Sequence, residues 1–221
     1  MTTTDSKINQ LFNNLDTWRH LPNYQLERRA DIFFSLYLAE VLQAQKDLGL
    51  DGEIIIIPEF PCRKGTVDVG SESNRSFKID YLVASQMTKK AYFVELKTDN
   101  SSIAQRQIEN MNKACKIDLG TLTSAISKEI KPKSYYGSKY DYLIEKTKKF
   151  EKWNDVKPRM IFIVPIEPSS GSPIYKIPSD QSTIVTFDKF ITVAKSHSEC
   201  PVSKRFAESL VKWQAKAGSD Q

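Results

Sequence analysis

Two neighbouring segments constrain this chain more than any other part of it. They are Phe77-Lys78-Ile79-Asp80-Tyr81-Leu82-Val83 and Ala91-Tyr92-Phe93-Val94-Glu95-Leu96-Lys97-Thr98-Asp99. Each is apolar and β-branched or aromatic enough to lie inside a sheet, yet each carries charge at its centre or end. Burying an unpaired carboxylate costs several kcal/mol, so such groups are paired, metal-bound or placed at a strand end. Side chains alternate along a strand, so Glu95 and Lys97 share one face and Leu96 takes the other. An acid on one strand, then an acid and a lysine on the next, is the minimum set for holding a divalent metal beside a reacting phosphate.

The flanking sequence reads as alternating helices and strands. Residues 1–22 are polar, with weak amphipathic character from Ile8, Leu11, Phe12, Leu15 and Trp18, and predict a short helical extension ending before Pro22. From Asn23, a candidate N-cap, to Leu48, apolar residues recur at three- and four-residue steps and predict a long helix. The run Glu53 to Ile57 predicts a buried strand closed by Pro58 and Pro61. The two charged strands follow. Asp99, Asn100, Ser101 and Ser102 then form a capping cluster before a helix from Ile103 to Lys116. The stretch from Gly120 to Trp153 predicts helix in pieces, broken near Pro132 and Gly137. Arg159 to Pro165 and Thr183 to Thr186 predict strands, and Phe187 to Lys195 and Ser203 to Lys216 predict closing helices. The class is α/β, a central mixed sheet flanked by helices.

Asp80, then Glu95-x-Lys97, then a helix carrying glutamine resembles the PD-(D/E)XK nuclease superfamily. The resemblance spans Glu27 to Gln107, with the later strand at Arg159 to Pro165, and departs from the motif in having Ile79 where the name-giving proline stands. It implies a restriction-endonuclease-like αβββαβ core with extra C-terminal helices, within one domain over residues 23–221. It also implies that Asp80, Glu95 and the backbone carbonyl of Leu96 bind Mg²⁺, for which Mn²⁺ substitutes. Lys97 then orients or activates a water, or offsets charge on the transition state.

The remaining site candidates come from the helices. Ala104, Ile108, Met111 and Cys115 form an apolar stripe, and Gln107 lies one turn from Ala104 and Met111, whereas Gln105 faces sideways. Gln107 is therefore the preferred site glutamine. In the superfamily this chain resembles, an acid on the first helix often completes the metal site, and Glu-Arg opens that helix in some members. Glu27, followed by Arg28, is preferred, with Glu40 as its competitor and Asp31 one turn beyond Glu27. Glu59, in Pro58-Glu59-Phe60-Pro61, reads as a loop acid.

Charge adds a candidate contact surface. The 221-residue chain carries a net +5, and Lys128 to Arg159 holds ten basic residues against five acids, as much excess as the whole chain. Within it, Tyr140, Leu143, Ile144, Thr147 and Phe150 fit one buried helix face, which leaves Lys146, Lys148, Lys149 and Lys152 outside as candidate phosphate contacts. Tyr135 and Tyr136 add aromatic character that could stack on bases. DNA is the partner that the nuclease resemblance implies, and the net positive charge is compatible with a polyanion. The sequence leaves open a homodimer or a protein partner and marks no dimer face.

Other chemistries lack support. Three dispersed cysteines and two histidines argue against a disulfide framework, a zinc site or a His-based triad, and fit a reducing cytoplasm. No apolar run approaches the roughly 20 residues of a membrane span. There is no Gly-rich phosphate loop, GxSxG or HExxH. Two alternatives to a Mg²⁺-dependent deoxyribonuclease stay open: a non-cutting DNA- or protein-binding module on the same fold, and an unrelated α/β protein with an accidental acid-x-lysine.

Overall fold

The structure, a computed structural model, describes residues 3–68, 75–99, 102, 104–129 and 137–217. In chain order the helices and strands are α1 (Thr3–Trp18), α2 (Leu26–Ala44), β1 (Ile54–Arg63), the single turn α3 (Lys64–Val67), β2 (Ser76–Ser85), β3 (Lys90–Leu96), α4 (Gln105–Cys115), α5 (Leu119–Glu129), α6 (Gly137–Lys148), β4 (Arg159–Val164), β5 (Ser182–Thr186), α7 (Phe187–Ser196) and α8 (Pro201–Ala217). The strands form one five-stranded sheet in the order β1-β2-β3-β4-β5. β1, β2 and β3 pair antiparallel, whereas β3, β4 and β5 pair parallel. The crossover from β3 to β4 carries α4, α5 and α6, as parallel pairing requires. This is an α/β protein with a mixed sheet flanked by helices.

Each face of the sheet has its own core. On one side α1, α2, α7 and α8 cover Tyr81, Val83, Tyr92, Val94, Leu96, Ile161 and Ile163. On the other, α4, α5 and the turn after α6 cover Leu82, Phe93, Met160, Phe162 and Val164. The central strands β3 and β4 are buried on both faces, which is why they read as continuous apolar runs. Phe206 of α8 gathers the first core, with ring contacts to Phe12, Phe33, Phe34, Tyr37 and Trp213. The helix within residues 1–22 takes part in this packing: Phe12 and Leu15 are buried in the same core.

Three expectations need correction. Asn23 does not cap α2. It adopts a left-handed backbone with φ 63°, which asparagine tolerates in turns, and the helix starts after Gln25 with no side-chain cap. β1 does not stop at Pro58 or Pro61 but runs to Arg63. It is an edge strand, where a missing N–H can face away from the ladder. Tyr140 is 41% exposed rather than buried, because burial in this segment is confined to Thr147 and Phe150 at its far end. Pro132, Tyr135, Tyr136, Asn100, Ser101 and Ile103 lie outside the described residues.

β1 and β2 change phase together. Ile55 and Ile57 face the same core as Phe60 and Cys62, a step of three where alternation requires two. Opposite them, Ile79 and Leu82 make the same step, and the pairing from Ile54↔Ser85 to Arg63↔Ser76 keeps its register but is interrupted between Pro58↔Tyr81 and Phe60↔Ile79. The shift centres on Glu59, whose φ is 51°, and on Asp80 across from it. Neither acid joins the apolar layers beside it.

Phe206→Ala is expected to lower the unfolding free energy by about 3–5 kcal/mol, and Tyr142→Ala, at an exposed position, by less than about 0.5 kcal/mol. Denaturant titration of both variants checks this ranking.

Candidate active site

The acids converge where β2 and β3 part. Backbone pairing between these strands extends from Ser85↔Lys90 to Tyr81↔Val94. One residue further, the Asp80 side chain takes over from the ladder: the Leu96 N–H donates to Asp80 Oδ2 at 2.7 Å. Glu95 lies between, on the strand's second-to-last residue, and is 1% exposed. Beyond the end of β3, the Lys97 N–H donates to the Ile163 carbonyl at 2.8 Å, so β4 continues to hold the chain straight.

The third acid comes from α2. Glu27 lies in its first turn, and the Tyr81 hydroxyl anchors the same helix by donating to the Asp31 carbonyl at 2.9 Å. One carboxylate oxygen from each of Glu27, Asp80 and Glu95 can be chosen so that all three lie within 4.8 Å of one another. Lys97 Nζ enters this group, 2.8 Å from Glu95 Oε1 and 3.4 Å from Glu27 Oε2. The Gln107 side-chain amide of α4 donates to Glu95 Oε1 from the opposite face of the sheet. Glu95 Oε2 is buried with no hydrogen-bond partner among the described residues.

The electrostatics follow from this crowding. Burial pushes the Glu95 carboxyl up to about 8; the Asp80 charge adds to this and Lys97 opposes it. Burial likewise raises Glu27, against Lys97, and raises Asp80, against the Leu96 N–H and Lys97. For Lys97, burial alone would lower the pKa, but Glu95 and Glu27 outweigh it and hold the ammonium above its ordinary range. One lysine thus faces three acids. An all-oxygen donor set with an unpartnered buried carboxylate oxygen fits a hard divalent cation.

Of the residues singled out from sequence, Glu27, Asp80, Glu95, Lys97 and Gln107 are brought together, and Leu96 joins them through its backbone. Glu40 lies elsewhere on α2, its Oε2 2.8 Å from His197 Nε2. Gln105 turns to Glu109 at 3.1 Å. Asp31 and Glu59 line the cleft beside Asp80, and Glu59 pairs with Lys78. Lys146, Lys148, Lys149 and Lys152 are not brought to the acids: none lines either cleft at the site. Lys146 instead lies 5.1 Å from the Tyr142 ring centroid.

Those clefts flank Glu27. One, of about 540 Å³, opens over Asp80 and Gln107 and includes Arg28 and Lys78. The other, of about 390 Å³, opens over Lys97 and includes Arg19, Tyr24 and again Arg28. Sequence reasoning passed over Arg19, Tyr24 and Lys78 as site residues. Only Lys78 carried a signal, two residues from Asp80 in one strand. The chain matches no protein-family model, and no curated protein or solved structure matches it at a significant level, so its own chemistry carries the functional reading.

A carboxyl with a raised folded-state pKa contributes stability that is present below its unfolded pKa and lost as pH rises through the folded value. For Glu95 that window runs from 4.5 to about 8, and Glu27 and Asp80 shift in the same direction. In chelator-treated protein the melting temperature should therefore fall across this window, and less steeply in Glu95→Gln. Melting curves at closely spaced pH values decide it, and parallel profiles for the two proteins would refute the assignment.

Proposed function

We propose that this chain is a metal-dependent nuclease that hydrolyses DNA phosphodiester bonds on a restriction-endonuclease-like αβββαβ core with added C-terminal helices. The observation that carries the reading is the convergence of Glu27, Asp80 and Glu95 oxygens within 4.8 Å, with Lys97 Nζ 2.8 Å from Glu95. A purely structural sheet gains little from gathering three acids, one of them fully buried, around one lysine. The succession of α2, the antiparallel β1 to β3, α4 and the parallel β4 supports the fold assignment.

Glu27, Asp80, Glu95 and the Leu96 carbonyl would hold Mg²⁺ or Mn²⁺. The bound ion would polarise the scissile phosphate and offset charge on the leaving oxygen. The protein's own groups do the rest. Lys97, kept protonated by its acidic neighbours, donates hydrogen bonds that orient an attacking water and stabilise charge building on the phosphoryl oxygens. Gln107 is a positioning residue: its amide fixes the Glu95 carboxylate. Arg28, which lines both clefts, and Lys78 bind the flanking phosphates. Lys146, Lys148, Lys149 and Lys152 extend that contact to more distant backbone.

Cleavage of plasmid, single-stranded and branched DNA in Mg²⁺, Mn²⁺ or EDTA tests the proposal. Metal-dependent cutting is expected, reduced about 100-fold or more in Asp80→Ala and in Lys97→Ala. Mg²⁺ should also raise the melting temperature of the wild type but not of Asp80→Ala. Folded variants that cut like the wild type would sink the reading.

DNA affinity measured over a range of salt concentrations tests the interface. Arg28→Ala should reduce the slope of log affinity against log salt by about 1, and joint removal of Lys148 and Lys149 by about 2. An unchanged slope removes the residue concerned from the interface.

A further inference from the structure

The outer face of α2 is apolar where a solvent-facing helix should be polar. Ile32 and Leu36 are 60% and 61% exposed, more than any other large hydrophobic residue among the described residues except Met87 and Tyr142. Leu11 and Trp18 of α1, also exposed, border a groove of about 500 Å³ beside Ile32. The charges on this face are ordered. Arg29 precedes Ile32, and Glu40 follows Leu36. At 3.6 residues per turn, Arg29, Ile32, Leu36 and Glu40 fall within an arc of roughly 80°. Along the axis the stripe reads positive, apolar, apolar, negative.

We propose that this face of α2 is the interface of a two-fold dimer of the chain, in which α2 pairs antiparallel with its copy. A dyad midway between Ile32 and Leu36 sets Ile32 against the second copy's Leu36. The same operation brings Arg29 to the second copy's Glu40, because the two residues lie almost equally far from the dyad and on the same flank of the stripe. The face is therefore self-complementary in charge and in apolar content, as an isologous contact requires. The ionic partners are available. Arg29 has no ion pair among the described residues, and Glu40 uses Oε2 for His197, which leaves Oε1 for a guanidinium. Burying the Ile32 and Leu36 side chains supplies the apolar centre, and the two ion pairs fix orientation and register. The dimer does not depend on the nuclease reading, since Glu27 lies on the opposite side of α2 from this stripe.

Sedimentation equilibrium of the full chain over a wide concentration range tests the proposal, with far-UV circular dichroism checking that each variant folds. The wild type should show a reversible monomer–dimer equilibrium. Leu36→Arg, Arg29→Glu and Glu40→Arg should each weaken it by about tenfold or more. The double reversal R29E/E40R should restore it, because opposite charges face each other again. His197→Ala removes only the contact within the chain and should leave the dimer intact. A monomer at every concentration would overturn the proposal and give the face to a different protein. A dimer that Leu36→Arg does not weaken, or that the double reversal does not restore, would overturn this interface.

Discussion

The hydrogen bond from the Leu96 N–H to Asp80 Oδ2 is the link on which the site depends. It forms one residue past the last backbone pair between β2 and β3, so a carboxylate replaces a carbonyl as the strand's acceptor. That substitution does two things at once. It satisfies a buried N–H that would otherwise be orphaned, and it fixes Asp80 beside Glu95. The shared phase change of β1 and β2 at Glu59 and Asp80 makes this possible, because without it Asp80 would point into an apolar layer.

The cluster built on that link crowds three carboxyls around one ammonium. Burial raises all three carboxyls, and the Lys97 ammonium opposes the rise in each. The surrounding fold holds the arrangement in place. Tyr81 ties β2 to α2, Gln107 reaches Glu95 from α4, and β4 extends the support to Lys97. Both helical layers thus contribute to one site at the edge where the antiparallel strands separate. Arg28 and Lys78 line that edge together with Asp31 and Glu59, and Lys78 is paired with Glu59.

Some of this was legible in the residues. The strand positions of Asp80 and Glu95 followed from alternating apolar patterns, and the orientation of Gln107 from the stripe of α4 through Ile108 and Met111. The preference for Glu27 over Glu40 came only from a resemblance, since both are acids on one helix and periodicity does not rank them. The geometry separates them: Glu27 meets Asp80 and Glu95, whereas Glu40 meets His197. The prolines of β1 misled because strand pattern alone does not reveal an edge, and Asn23 misled because capping and left-handed turns favour the same side chains.

The sequence by itself determined which segments fold as strands and helices and which side chains are candidates for chemistry, because hydrophobic period and residue type are local properties. Only the tertiary structure decided which of those side chains meet. The distance from Glu27 to Asp80 and Glu95, the pairing of Lys97 with two acids, the separation of the α6 lysines from the clefts, and the entry of Arg19 and Lys78 into them all depend on how distant segments pack. Long-range packing is set by the fit of whole layers around two cores, and no local pattern encodes it.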